Sequence, residues 1–188
     1  MEMVARVVIA SRFLVVVTLA FLLGACGKSF TPAEVNRAYD AAARGDAVAM
    51  QKELNQGFDP NYYYWDRGYL IDEAATARNT GALAVLIQAG ARVNVQVPGS
   101  GANPLIISVF TDRCESARLL LKAGARKDFK FIDAGAMAAA ELDGFTAPEI
   151  YQKYRTENPK AFGTKCWSEV GRMLLAPSNK ASDVKESR

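Results

Sequence analysis

Histidine is absent from all 188 residues. That removes the commonest general base, the Ser–His and Cys–His nucleophile pairs, and every histidine-containing zinc site. Cysteine occurs at Cys26, Cys114 and Cys166, and the last two stand 52 residues apart, which is not the spacing of a metal site. Two carboxylate pairs, Asp72/Glu73 and Glu141/Asp143, have the types that acid–base chemistry uses. Such close neighbours on a helix do not face one another, and both pairs are expected on the solvated side. Gly27-Lys28-Ser29 has the ending of a phosphate loop, but the first glycine of that pattern would fall at Leu22. The chain therefore reads as a non-enzyme, with no catalytic residue, metal or cofactor expected.

Recognition is better provided for. Asn61-Tyr62-Tyr63-Tyr64-Trp65-Asp66-Arg67-Gly68-Tyr69 gathers Tyr, Trp and Arg, the types that dominate interface hot spots because they bring large contact area at low entropy cost. The other reading of these rings is structural, with some of them packed beneath the segment that carries them. Either way they need rigid elements on both sides, and the sequence supplies these by repetition. Leu54-Asn-Gln-Gly57-Phe-Asp-Pro-Asn61 returns as Ile87-Gln-Ala-Gly90-Ala-Arg-Val-Asn94 and again as Leu121-Lys-Ala-Gly124-Ala-Arg-Lys-Asp128. The glycines lie 33 and then 34 residues apart, a period that signals one supersecondary unit stacked on its copies.

The residues before each glycine carry a specific resemblance. Asn103-Pro104-Leu105-Ile106-Ile107-Ser108-Val109 followed by Ala117-Arg118-Leu119-Leu120-Leu121-Lys122-Ala123-Gly124 resembles an ankyrin repeat, with its Thr-Pro-Leu-His opening and Leu-Leu-x-x-Gly-Ala ending. Tyr69–Ala75 with Leu83, Leu86 and Ile87 is a second copy, and Asn36–Ala42 with Met50 and Leu54 a first. A worn fourth copy reads Gly135 to Ala140 and Gly144, with its second helix expected near Pro148. Departures from the family pattern are Tyr39, Asp72 and Ile106 at its histidine position, and Gly101 as the one retained hairpin glycine; irregular hairpins are expected. The resemblance implies an all-α ankyrin-repeat solenoid of three clear repeats plus a degenerate capping repeat and an extra C-terminal helix. Local signals agree. Thr31-Pro32-Ala33-Glu34 is a capping box with Pro at the first helical position. Leu83, Leu86 and Ile87 share a stripe of one helix. By position, Trp65, Asp66, Gly68, Thr76, Ala77, Ser100, Ala102, Phe110 and Thr111 match the family's variable contact positions. With Tyr62, Tyr63, Tyr64 and Arg67 they form the candidate partner-binding face.

The N-terminus reads as an address. Arg6 and Arg12 precede the uncharged run Phe13–Leu23, too short to span a bilayer comfortably, and small residues follow it. Leu23-Gly24-Ala25-Cys26 resembles a bacterial lipobox, which implies cleavage before Cys26 and its lipidation; the alternative is a plain signal peptide with a chance cysteine. Several acyl chains on Cys26 would anchor the protein stably, with Gly27–Pro32 as a tether of about 20 Å at most. Gly27 argues against one inner-membrane retention rule and Lys28-Ser29 resembles another, so inner and outer membrane both stay open. In an oxidising compartment Cys114 and Cys166 either form a disulfide or remain two unpaired buried residues. A bridge would clamp the helix expected at Lys165–Leu175, whose Trp167, Val170 and Leu174 share a face. The resulting organisation is signal peptide 1–25, lipidated tether 26–32, repeat domain 33–155, capping helix region 156–176 and disordered tail 177–188.

Formal net charge is +3, and loss of Arg6, Arg12 and Glu2 with the signal leaves one unit less. That is too weak to suggest nucleic acid as a partner. The expected partner is a protein in the periplasm. The most concrete form is an immunity protein that neutralises a toxic effector such as a secreted lipase; the alternatives are an envelope scaffold or stress-response adaptor and, last, an enzyme built on the cap helices. The anchor is tested directly: Cys26→Ser should abolish incorporation of labelled fatty acid and leave precursor or soluble protein. Label in the variant, or wild type that partitions as soluble, would refute it.

Overall fold

The computed structural model describes residues 29–99, 101–132 and 140–177. The segment expected to be a signal peptide, Cys26, Ser100, the Gly135–Ala139 segment and the tail beyond Pro177 lie outside the described residues. Contacts divide the chain into Met1–Thr31 and Pro32–Arg188, and every element named below belongs to the second unit. It is mostly helical. In chain order come α1 (Pro32–Arg44), α2 (Ala47–Asn55), a hairpin of β1 (Tyr63–Tyr64) and β2 (Gly68–Tyr69), α3 (Leu70–Thr76), α4 (Gly81–Gln88), α5 (Pro104–Phe110) and α6 (Cys114–Lys122). A 3₁₀ turn at Ala140–Leu142 leads to α7 (Ala147–Glu157), the short α8 (Pro159–Phe162) and α9 (Lys165–Leu175). Among the described residues, no helix is long and apolar enough to cross a membrane.

The recurring glycine phrase builds the same helix end three times. Gly57, Gly90 and Gly124 have φ of 86°, 84° and 87°, the left-handed region that a side chain disfavours. In each case the residue after the glycine donates its N–H five residues back: Phe58 to Glu53, Ala91 to Leu86, Ala125 to Leu120. These bonds satisfy carbonyls that a helix end otherwise leaves open. The asparagine that closes the phrase then ties one helix pair to the next. Asn61 Oδ1 accepts the Arg92 N–H and Asn94 Oδ1 accepts the Arg126 N–H, both at 2.8 Å. At the third position Asp128 instead takes the Arg126 guanidinium at 2.7 Å.

Two rows of helices result. α1, α3, α5 and α7 pack in succession along one row; α2 packs on α4, and α6 on α9, along the other. The small residues Ala38, Ala41, Ala42, Ala74 and Ala75 are fully buried between neighbours in the first row. Leu83, Leu86, Leu105 and Leu120 fill the space between rows, and Ile87 is only half-buried.

The end of the stack corrects the sequence reading. The helix at Pro148 was expected as the second of its pair, yet α7 packs on α5 in the row of first helices. Its partner in the second row is α9. The reason is local: Gly144, with φ 78°, ends the third hairpin region, where Lys130 bridges Thr146. Thr146 and Glu149 then make the capping box that starts α7. An insertion ahead of Gly144 displaces this pair from the 33–34-residue period.

α9 seals the stack. Trp167, Val170 and Leu174 are buried as expected from their spacing. Trp167 stacks on Phe162 at 4.6 Å and lies 5.9 Å from Tyr151, whose hydroxyl donates to the Trp167 carbonyl. Gly171 admits this approach, because a Cβ there would fall on the Tyr151 hydroxyl. Lys127 Nζ donates to the Met173 and Ala176 carbonyls, supplying charge and donors at the C-terminus of α9. The Cys114–Cys166 disulfide joins the first turns of α6 and α9, with Cα atoms 6.2 Å apart. Closing a loop of this length stabilises by roughly 3–4 kcal/mol through the unfolded chain. Cys166→Ser should lower the denaturant midpoint accordingly while leaving the helical circular dichroism intact. No change in midpoint would show that the bridge constrains nothing.

Candidate functional site

The aromatic segment forms an antiparallel hairpin, with Tyr63 opposite Tyr69 and Tyr64 opposite Gly68. Trp65, Asp66 and Arg67 make its turn, closed by the Arg67 N–H on the Tyr64 carbonyl at 3.0 Å. A two-stranded ribbon this short is not stable alone. Its stability comes from beneath. Tyr39 of α1, fully buried, donates its hydroxyl to the Gly68 carbonyl at 2.6 Å and packs against the Tyr64 ring at 6.2 Å. Burial raises the Tyr39 phenol above its ordinary range, which keeps it a hydrogen-bond donor at any physiological pH. The Arg67 guanidinium lies 4.7 Å from the Tyr39 ring centre and is paired with Glu73 at 3.3 Å. At the near end Tyr62 packs on Phe58 at 5.1 Å.

These anchors sort the aromatic residues. Tyr62, Tyr64, Arg67 and Tyr69 are half-buried and spend much of their surface on the protein itself. Trp65 keeps 77% of its surface exposed, Tyr63 keeps 37%, and Asp66 is exposed beside them. Tyr63 leans on Tyr69 at 4.9 Å and Trp65 on Tyr64 at 6.1 Å, so both exposed rings rest on supported ones. The arrangement holds a large apolar ring in water, which a fold gains nothing from by itself.

The remaining candidates divide differently. Thr76 and Thr111 are half-buried, and their hydroxyls donate back to the Glu73 and Ile107 carbonyls of α3 and α5. Phe110, a candidate contact residue, is half-buried and packed 6.3 Å from the Tyr154 ring of α7. Ala77 and Ala102 are 4% and 3% exposed and offer no contact surface. Beside Ala77, Arg113 Nε reaches across to the Thr76 carbonyl at 2.6 Å.

Asp72 overturns its expectation. It was placed with Glu73 on a solvated face, but it is 4% exposed beneath the hairpin. Its Oδ2 accepts the Tyr69 N–H at 3.2 Å, and its Oδ1 has no partner among the described residues. Tyr39 and Asp72 occupy the same position in successive repeat copies, and each holds one residue of β2. Sequence reasoning noted both as departures from a pattern and missed that they anchor the hairpin; a polar group at the same position in two successive copies, two residues before Ala41 and Ala74, was the available signal. Glu141 and Asp143, by contrast, are exposed as expected. Among the described residues no cluster of three or more acidic or cysteine side chains could hold a metal. No protein-family model matches the chain, and no curated protein sequence matches it.

Burial pushes the Asp72 carboxyl up to about 7, partly opposed by the Tyr69 N–H and assisted by the nearby Glu73 charge. Its folded-state value thus lies above its unfolded value of 3.8, and the folded protein binds the proton more tightly. The resulting stabilisation is complete below about pH 4 and is lost as pH rises toward 7, then stays lost. Asp128 and Glu149, held low by the Arg126 guanidinium and by the Thr146 N–H, act in more acidic solution than this window. Chemical denaturation between pH 4 and 8 should therefore show stability falling as pH rises. In Asp72→Asn, which keeps an acceptor for Tyr69 but cannot ionise, that slope should vanish and stability at pH 8 should exceed wild type. An unchanged slope in the variant would assign the dependence to another group.

Proposed function

We propose that this chain is a non-enzymatic, lipid-anchored ankyrin-type module that binds a protein in the periplasm. The observation that carries the reading is Trp65, three-quarters exposed at the tip of a hairpin held from below by buried side chains. Ordering a tryptophan ring before it meets its partner lowers the entropy cost of binding, and this is the physical advantage of such a hairpin. Support for ankyrin-type repeats comes from the two rows of paired helices, the hairpin between pairs and the recurring glycine end. Support for export comes from the lipobox-like Leu23–Cys26 and from the disulfide, a bond that persists in oxidising compartments.

Within that reading, we assign the chain to neutralising a toxic effector delivered into the periplasm, such as a secreted lipase. A tethered binder without catalytic groups suits blockade of an enzyme at the membrane it attacks. The assignment rests on chemistry and placement, since a fold of this kind hosts many unrelated functions.

Affinity capture from envelope extract, using protein that lacks residues 1–26, supplies the partner. Trp65→Ala should then weaken binding tenfold or more, about 1.4 kcal/mol at least, with little change in melting temperature. Tyr64→Ala, which removes a ring packed on Tyr39, should lower the melting temperature as well. If Trp65→Ala binds as wild type does, the recognition surface is not the hairpin.

A further inference from the structure

A concavity lies away from the hairpin, between the loop ahead of α4 and the first turn of α6. It has a volume of about 310 Å³, and Arg78, Thr80, Arg113 and Ser116 are among its lining residues, as are both bridged cysteines. We propose that this cavity is a binding site for a phosphate group, contributed either by a soluble phosphate compound or by a lipid headgroup.

Three independent observations converge there. The first is the start of α6, a nine-residue helix whose N-cap residue, Arg113, makes no side-chain capping bond. The first-turn amides of Cys114, Glu115 and Ser116 have no acceptor among the described residues. They present N–H groups and the positive end of the helix dipole to the cavity, the arrangement that oxyanions favour. By contrast, α2 and α9 are capped by the side chains of Asp46 and Thr164, and α7 by a capping box.

The second observation is Ser116 itself. It is 0% exposed, and its hydroxyl has no hydrogen-bond partner among the described residues. Serine inside a helix commonly bonds back to a carbonyl of the preceding turn, as Ser168 does to Thr164 in α9. Ser116 leaves that bond unmade while lining the cavity, and a buried hydroxyl without a partner is costly.

Charge is the third. Arg113 spends its Nε on the Thr76 carbonyl, which leaves its two terminal amino groups available. Arg78 is exposed and makes no ion pair among the described residues. The two acids at the rim are occupied elsewhere: Asp112 Oδ1 accepts the Trp167 indole N–H at 2.7 Å, and Glu115 takes both Arg118 donors. Three amides, a serine hydroxyl and two guanidinium groups offer more donors than a single carboxylate can accept from, and suit the larger acceptor set of a phosphate. A water's share of volume is about 30 Å³, so the cavity admits a phosphate with part of its hydration shell.

The test is an amide-resolved NMR titration of the purified protein with inorganic phosphate, at ionic strength held constant with sodium chloride. The Cys114, Glu115 and Ser116 amides should shift along a saturable curve with a dissociation constant on the order of 1 mM or tighter. Arg78→Ala, a change at an exposed residue, should weaken that binding about tenfold without moving the melting temperature measured in the absence of phosphate. Vesicles of phosphatidylcholine containing phosphatidic acid separate the two sources. Arg78-dependent vesicle binding displaced by inorganic phosphate assigns the site to a headgroup, whereas phosphate binding without vesicle binding assigns it to a soluble compound. Shifts that chloride reproduces, that never saturate, or that persist unchanged in Arg78→Ala overturn the proposal, and the cavity then holds only water.

Discussion

A stack of helix pairs has two ends, and at each end an apolar face would meet water. Closing the C-terminal end is the constraint on which the second half of this chain depends. Six of the seven residues of α5 are buried, and α6 turns Ser116, Ala117 and Leu120 inward, so neither helix can remain uncovered. The cover is assembled from α7 and α9, and it needs more than contact. Trp167 is buried against Phe162 and Tyr151, its indole N–H is satisfied by Asp112, and a disulfide fixes the first turn of α9 to that of α6. Asp112 can reach because it adopts φ 55° at the turn before α6, the same left-handed region that Gly45 uses two helix pairs earlier in the α1–α2 turn. An aspartate tolerates that conformation better than most side chains, and here it adds an acceptor that glycine would lack.

Between the pairs the chain relies on a repeated polar device. Asn61 and Asn94 each spend their side-chain carbonyl on a backbone amide a full copy away. These bonds set the spacing of successive copies at their exposed edge, while leucine and alanine packing sets it inside. The hairpin above α3 uses the same division of labour. Apolar ring contacts support it, and two buried polar groups, Tyr39 and Asp72, fix its second strand.

Much of the helical order could be read from the residues. The glycine phrase located three helix ends, and the spacing of Trp167, Val170 and Leu174 located α9 to the residue. The fourth pair was misread because its evidence was periodic, and an insertion before Gly144 shifts the period while leaving no obvious mark in composition. Burial of Asp72 was hidden for a different reason. Neighbouring carboxylates look solvated when only their own helix is considered, and the hairpin that covers Asp72 is a tertiary fact. Phe110 is a third case, since the ring that shields it belongs to Tyr154, 44 residues onward. For the candidate site, the aromatic composition identified the segment. It could not tell Trp65 from Tyr64, because the difference lies in which ring happens to stand over Tyr39.

The covalent bond between α6 and α9 also changes how the molecule responds to being pulled. A chain drawn out from its two ends normally lengthens by about 3.4 Å for each residue released. The segment from Cys114 to Cys166 is excluded from that lengthening, because its ends are joined. Traction from the N-terminal side would peel α1 and α2 first and work inward pair by pair, then arrive at α6 and stop. Beyond that point the load runs through two sulfur atoms instead of through the packing of the cap. The stack is in this sense a ratchet of yielding units ahead of an inextensible one.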